Sequence, residues 1–481
     1  MKTIKVFFLV SFLFVMSLSS QNKASIKVVK NYKNWNWEEV YVAKNPYISV
    51  AVVPKAAGRI LEYNLGDVPS LWINSKLMGK SFAPTDEVKM QEWRNFGGYR
   101  LVPLPIENCS VDKDGSKAQR WPPPAIIGDS PYKAKKGVDR KGNETIEVTS
   151  GIQELPVPSY NGKLKRFVYP NKIEEKLEYS RSLYIEPNSS LVHINHHLKN
   201  VGNKKVKRGI MISSQHVSRS NPNLTDGENY VAYVPFSKEY LLPNGKQYQV
   251  MSSPEARWRY INRNRFKLDK NNPEDVAKYY NHGTNWKGEV APGIYEVEYD
   301  YNLMAGFHIV SSESWICYVN KTNNTAFAKI MEPYDSSLEY DHGLNMAIFC
   351  SGLETGYLET EVKTPLYTLQ PLESFDYKEI HGAAKIQNTP VLGVTMAGIT
   401  TQKLSCKNGQ VLGSYGVFVA SSAYLVSEDD KGVEIDRIFI EKVNPLQPFN
   451  VHVNYTKLFK TLKLVLIDEN NKEYELDKFN K

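Results

Sequence analysis

Residues 356–379 read GYLETEVKTPLYTLQPLESFDYKE. In an extended chain successive side chains point to opposite faces, so Tyr357, Glu359 and Glu361 share one side while Leu358, Thr360 and Val362 share the other. Pro365 has no N–H to give a ladder, which ends the strand at Thr364-Pro365. Leu366 and Leu369 lead to a turn around Pro371, and a second strand begins near Ser374. Two readings of the paired carboxylates stand. Either this is an exposed edge strand whose Glu residues are solvated, or the carboxylates line the floor of a ligand site.

Working outward, the same short extended pattern recurs along the chain. It is present in YISVAVVPKAAGRILEYNLG (residues 47–66), EEKLEYSRSLYIEP (174–187), GIMISSQHVS (209–218), MAGFHIVSS (304–312), SWICYVNK (314–321) and TAFAKIMEPY (325–334). Short strands separated by turns at regular spacing, with almost no helix-length periodicity, indicate an all-β sandwich. After Lys385 the strands shorten again, in GVFVASSAYLVS, IDRIFIEKV and LKLVLIDENNKEYEL, which predicts a separate small β-sandwich over 390–481. Residues 26–41, with Trp35 and Trp37, read as a leader before the main domain at 40–385.

The chain has 481 residues, 41% hydrophobic and 23% charged, which allows a large core and excludes a disordered chain. Lys2 and Lys5 precede the apolar run Val6–Leu18, and Ser17, Ser19 and Ser20 supply small residues, so residues 1–20 are expected to be a cleaved signal peptide. A periplasmic or secreted protein without a stable membrane anchor follows. Removing those two lysines takes the net charge from +8 to 58 − 52 = +6. With no dense basic tract, nucleic acid is not an expected partner, whereas an acidic glycan is. The 30 Tyr residues fit sugar stacking as well as strand preference. Cys109, Cys317, Cys350 and Cys406 show no metal-ligand spacing, and LVHINHHLKN (191–200) lacks HExxH spacing. Neither a metal nor a cofactor is expected. Cys317 and Cys350 are either a pair formed in an oxidising compartment or two buried thiols. The oligomeric state is not written in the sequence.

Several motifs lie in a fixed order: GRI at 58–60, GGYRL at 97–101, WPPP at 121–124, SSQ at 213–215 and YLETEVKTPLYTLQP at 357–371. Together they resemble an uncharacterised domain family within the galactose-mutarotase-like superfamily, over roughly Val40 to Lys385. The resemblance implies a large antiparallel β-supersandwich with a concave carbohydrate site. It also implies a Glu base, at Glu359 or Glu361, and an Arg substrate clamp at Arg59. The acid position falls on the strand holding Gln215 and His216, where the His-Ser-Tyr-Phe-Asn run of the mutarotases is missing. That departure argues against aldose mutarotase activity.

Three function classes follow. The first is an enzyme that abstracts a proton from an acidic oligosaccharide, a uronate or sulfated sugar, with elimination favoured over epimerisation. His216, Tyr334, Glu359 and Glu361 are its candidate acid–base groups, and Arg59, Arg100, Trp121, Arg181 and Gln215 its candidate substrate contacts. The second is a non-catalytic carbohydrate-binding protein. A glycosidase ranks last, because two Glu residues spaced i,i+2 on one strand lie about 6–7 Å apart and point in parallel instead of across a bond.

Overall fold

The computed structural model describes residues 24–481 apart from 90–91, 93, 107–108, 119–123, 220–226, 237–238, 240–247, 251–268, 270, 275–285, 300–304, 312 and 352–354. Two long antiparallel sheets face each other across one core. The first runs, edge to edge, through Ser25–Val29, Val40–Lys44, Ile48–Val53, Arg59–Leu65, Tyr99–Leu104, Val206–Val217, Tyr357–Lys363, Met346–Cys350, Ala305–Ile309 and Tyr248–Val250. The second runs through Trp286–Ala291, Ile294–Glu298, Tyr230–Pro235, Trp315–Asn320, Thr325–Met331, Ser374–Lys385, Val192–Asn200, Glu175–Ile185, Glu144–Thr149 and Lys133–Val138. Every pairing along both paths is antiparallel, as the alternating sequence pattern requires. The chain is thus all-β, a β-supersandwich followed by a smaller β-module.

The faces sort by residue type. Ile60, Tyr99, Leu101, Ile210, Ile212, Leu358, Val362, Met346, Ile348 and Phe307 of the first sheet meet Tyr179, Leu183, Ile194, Ile316, Tyr318 and Phe327 of the second in the largest core. Trp35 and Trp37 lie on the other side of the first sheet, packed with Val40, Val42, Ala51, Val53, Leu61 and Phe96. The segment read as a leader is therefore part of the sandwich. Ser25–Val29 is an edge strand paired with Val40–Lys44, so the first domain starts before Val40. The signal-peptide reading and Trp121 lie outside the described residues.

The Glu359 strand is not an edge. It sits between Val206–Val217 and Met346–Cys350, and all seven of its residues are buried. The solvated-edge reading fails because the strand is paired on both sides, with Val206–Val217 far away in sequence and with Met346–Cys350 just before it. Gly97-Gly98, read as a close backbone approach, approaches the protein's own chain: Gly98 N–H donates to Trp72 O at 2.8 Å, and a Cβ at Gly98 would stand 2.2 Å from Ile60 O. Both glycines have positive φ, which side chains resist. All four cysteines are free thiols, with Cys317 facing the C-terminal module and Cys350 facing the inter-sheet core.

The C-terminal module is a sandwich of two four-stranded sheets, Gly393–Val394 to Pro448–Asn454 and Glu434–Val443 to Glu473–Asn480. It docks on the outside of the second sheet through a core of its own, in which Phe418, Val419 and Ile399 meet Tyr233, Trp315, Val319 and Ala384. Gly382 makes room for Phe418, since a Cβ there would lie 2.8 Å from the ring. Fully buried and seated at this junction, Phe418 should be a stability hot spot. Phe418→Ala is expected to cost ~3–5 kcal/mol, the range for emptying a buried aromatic site, measured by chemical unfolding.

Candidate functional site

The register of three central strands builds a polar patch on the outer face of the first sheet. Arg100 pairs with Ser213, Ser213 with Glu361, and Glu361 with Ala347, so these four side chains form one row across the strands. The next row holds Gln215, Glu359 and Phe349, and Tyr357 follows opposite Val217. Arg59 reaches the same face from the neighbouring strand, because its partner position Ile60↔Tyr99 points into the core. Ser213 and Ala347, both small, flank Glu361.

Glu359 and Glu361 are only 7% and 6% exposed, and their environments differ. Ser213 Oγ and Gln215 Nε2 donate to Glu359 Oε1 at 2.9 and 2.7 Å. Glu361 has no hydrogen-bond partner among the described residues. Burial and the neighbouring Glu359 charge push its carboxyl up to about 8, against the pull of Lys363, Arg100 and Lys329. Glu361 thus holds its proton at neutral pH on the same face as a second carboxyl, the arrangement that lets one group give a proton while its neighbour takes one. Gln215 Oε1 is buried without a partner, an acceptor left free beside the pair.

The surroundings supply charge and rings. Arg100 acts electrostatically on Glu361, Tyr357 and Asp129. Tyr357 OH accepts from Asn95 Nδ2 at 3.3 Å, and its ring lies 5.0 Å from Trp72 and 6.4 Å from Phe349. Trp72 and Phe349 are half-buried, so this group of rings borders the acid pair at the surface. Lys363 continues the alternation of the Glu strand and pairs with Asp341 at 3.3 Å. His308 stands beyond Ala347, held neutral by burial and by Lys363, with a buried Nδ1 that has no hydrogen-bond partner among the described residues.

The other sequence candidates have different surroundings. Arg59 is 1% exposed and its guanidinium is used within the protein: Nη1 donates to Asn95 Oδ1 and Gly97 O, and Nη2 to Gly128 O and Asp129 Oδ1, at 3.0–3.2 Å. Burial lowers it to about 10, so it stays charged and braces the Asn95–Gly98 turn that carries Arg100 into place. This corrects the clamp assignment, since Arg59 orders the wall of the site. His216 follows Gln215 and so points the opposite way, into the core. Its Nδ1 meets Ser70 Oγ and its Nε2 meets Thr360 Oγ1, both at 2.9 Å, and its ring stacks on Tyr318 at 4.2 Å. Burial holds it well below the usual histidine range. With both nitrogens engaged on the wrong face, it is a core residue and not the acid of this patch. Arg181 also faces the core, over the Tyr99 ring at 5.0 Å, with Nη2 bonded to Gly58 O. Tyr334 packs against Tyr340, Val310 and Leu344.

Of the sequence candidates, the fold therefore gathers Glu359, Glu361, Gln215 and Arg100 on one patch. Asn95, Trp72, Phe349, Lys363 and His308 were not singled out in the sequence. Lys363 carried a signal, being the next residue in phase after Tyr357, Glu359 and Glu361. Phe349 and His308 carried none, because only the pairing between strands, and no pattern within one strand, sets them on the same rows. Among the described residues no cluster of His, Cys, Asp and Glu has the makings of a metal site, and no helix is long and apolar enough to cross a membrane.

No family model matches the chain, and no curated protein matches it. Solved structures do. The Slr1438 protein from Synechocystis is 11% identical, over 79% of this chain and 100% of its own, with a TM-score of 0.40. A galactose mutarotase-like protein from Clostridium acetobutylicum is also 11% identical, over 76% and 99%, with a TM-score of 0.40. A putative aldose 1-epimerase from Escherichia coli is 9% identical, over 76% and 100%, with a TM-score of 0.36.

Proposed function

We propose that this protein is an exported carbohydrate-active enzyme that removes a proton from an acidic sugar on the outer patch of the first sheet, and that the reaction is an elimination. The observation that carries the reading is the buried pair Glu359–Glu361, one carboxyl held by two donors and the other protonated at neutral pH beside Arg100. In a uronate the carbon next to the carboxylate is acidic. Glu359 takes that proton, and the electron pair forms a double bond to the neighbouring carbon. The bond from that carbon to its oxygen substituent breaks, and Glu361 gives its proton to the departing oxygen. Arg100 supplies positive charge where the substrate carboxylate gathers negative charge. Both carboxyls point from one side of the ring, which suits loss of proton and leaving group on a shared face. Epimerisation needs a donor on the opposite side, which is why elimination ranks first. The basic balance of the chain, +6 without residues 1–20, agrees with an acidic substrate.

A second reading has an observation of its own. Half-buried Trp72 and Phe349, with the buried Tyr357 ring between them, form an aromatic border on which a sugar can stack without reacting. Incubating the mature chain with uronate and sulfated oligosaccharides separates the two. Elimination yields a conjugated double bond seen by ultraviolet absorbance, with loss of water or chain cleavage seen by mass. Glu359→Gln and Glu361→Gln should each lower the rate ~10²–10⁴-fold, the usual worth of a general base or acid, while keeping affinity. Binding with no product from any acidic sugar would leave the non-catalytic reading.

The raised carboxyl also fixes a pH dependence of stability. Below the ordinary Glu range, near 4.5, Glu361 is protonated in both folded and unfolded chains and adds nothing. As the pH rises toward about 8 the unfolded chain ionises first, so the folded state loses stability through that window. Glu361→Gln has no such loss. Its melting temperature relative to the parent chain should rise steadily from pH 5 to pH 8, and a flat difference would contradict the protonated pair.

A further inference from the structure

We propose that Lys329 is a positioning residue for the acid pair: rooted in the opposite sheet, it crosses the core to hold the backbone between Glu359 and Glu361 and helps set how tightly Glu361 keeps its proton. The inference rests on the acid–base reading above, but its test needs no substrate.

Lys329 belongs to the strand Thr325–Met331 of the second sheet and is 2% exposed. Its Nζ donates to Thr360 O at 2.9 Å and to Ile212 O at 3.4 Å. Thr360 is the residue between the two Glu positions, and Ile212 precedes Ser213, whose hydroxyl holds Glu359. One ammonium thus ties together two adjacent strands of the first sheet at the rows that carry Ser213, Gln215, Glu359 and Glu361. Carbonyls inside a sheet already accept ladder bonds, so a lysine reaching both from the facing layer is an added constraint on backbone position.

The ammonium has a counter-charge. Glu379 Oε1 lies 3.6 Å away, and Glu379 Oε2 accepts from Tyr99 OH at 2.6 Å. His196 and His381 flank the same carboxylate at 3.4 and 3.1 Å. Burial pushes Glu379 up, but Lys329 and His381 outweigh it and hold the carboxyl well below the usual range. Burial pulls Lys329 down, opposed by Glu379, Glu361 and Glu359. The core of the sandwich therefore contains an ionised pair directly beneath the patch, with Tyr99 joining it to the strand of Arg100.

Such a pair is a poor stabiliser. Taking two ions out of water costs several kcal/mol each, and well-packed apolar replacements are often neutral or better. Preorganisation of the patch accounts for the cost. The groups facing Glu361 are Glu359 and Lys363 on its own strand, Arg100 from Tyr99–Leu104, and Lys329 from beneath. His308, beyond Ala347, is neutral. Lys329 is the one cation of these that also bonds the backbone of the Glu strand.

The test reads the carboxyl itself. In a chain labelled with ¹³Cδ-glutamate, the Glu361 signal is assigned by its loss in Glu361→Gln and titrated across neutral pH. Lys329→Met should move its midpoint upward by about one pH unit, ~tenfold in proton affinity, the size of a lost charge at this range. Lys329→Arg keeps charge and donors and should restore most of the shift. Because Lys329→Met leaves Glu379 uncompensated, Lys329→Met/Glu379→Gln serves where the single variant folds poorly; its midpoint should also rise, by less. A midpoint that stays in place in the folded variant while the melting temperature falls would reduce Lys329 to a packing role and overturn the inference. A midpoint that moves in a chain inactive on every acidic sugar keeps this inference and removes the elimination reading.

Discussion

A strand buried on both faces must satisfy two environments with alternate residues, and the strand Tyr357–Lys363 does so with charged groups on one of them. Its even residues, Leu358, Thr360 and Val362, enter the inter-sheet core, where Thr360 meets His216 and Lys329. Its odd residues, Tyr357, Glu359, Glu361 and Lys363, form the outer patch. A shift of one residue would put two carboxylates among Ile212, Ile348 and Phe307, so the register is held by the cost of burying unpaired charge. The neighbouring strands inherit their register from it, which brings Arg100, Ser213 and Gln215 into rows with the two Glu residues.

Charge is distributed in two layers around that strand. Outside, Glu361 keeps its proton because burial and the neighbouring Glu359 act together on it, while two hydrogen bonds hold Glu359 in place. Inside, Lys329 and Glu379 form an ionised pair with Tyr99, His196 and His381 around it. A third buried pair, Arg59–Asp129 at 3.1 Å, braces the turn before Arg100. Isolated buried charges destabilise a fold, and each of these has partners. Their common feature is position: each lies within one strand or one turn of the patch, where rigidity serves orientation more than stability.

Much of the architecture was legible from the chain. Alternation in 356–379 gave the faces of the Glu strand correctly, and the strand Val192–Asn200 follows the same period of two, with His196 buried and His193 and His197 half-buried on its other face. The short strands after Lys385 do form a separate sandwich. What misled was the value of a lone residue type. Arg59 and His216 looked like site residues because sugar enzymes use such groups, yet Arg59 is consumed by Asp129 and three backbone or amide oxygens. His216 is one residue out of phase with Gln215, and period two sends it into the core.

Sequence alone determined the all-β class, the alternation that puts Glu359, Glu361 and Lys363 on one side, and the break at Pro365, since each depends on geometry within a few residues. Tertiary structure decided that the Glu strand is central, that Arg100, Ser213, Gln215 and Ala347 are its rung-mates, and that Lys329 reaches it from the other sheet. Those facts come from pairing segments up to hundreds of residues apart, and no local pattern encodes a partner at that distance. The proton on Glu361 belongs to the second group as well, because burial and neighbouring charge, both products of the fold, set its affinity.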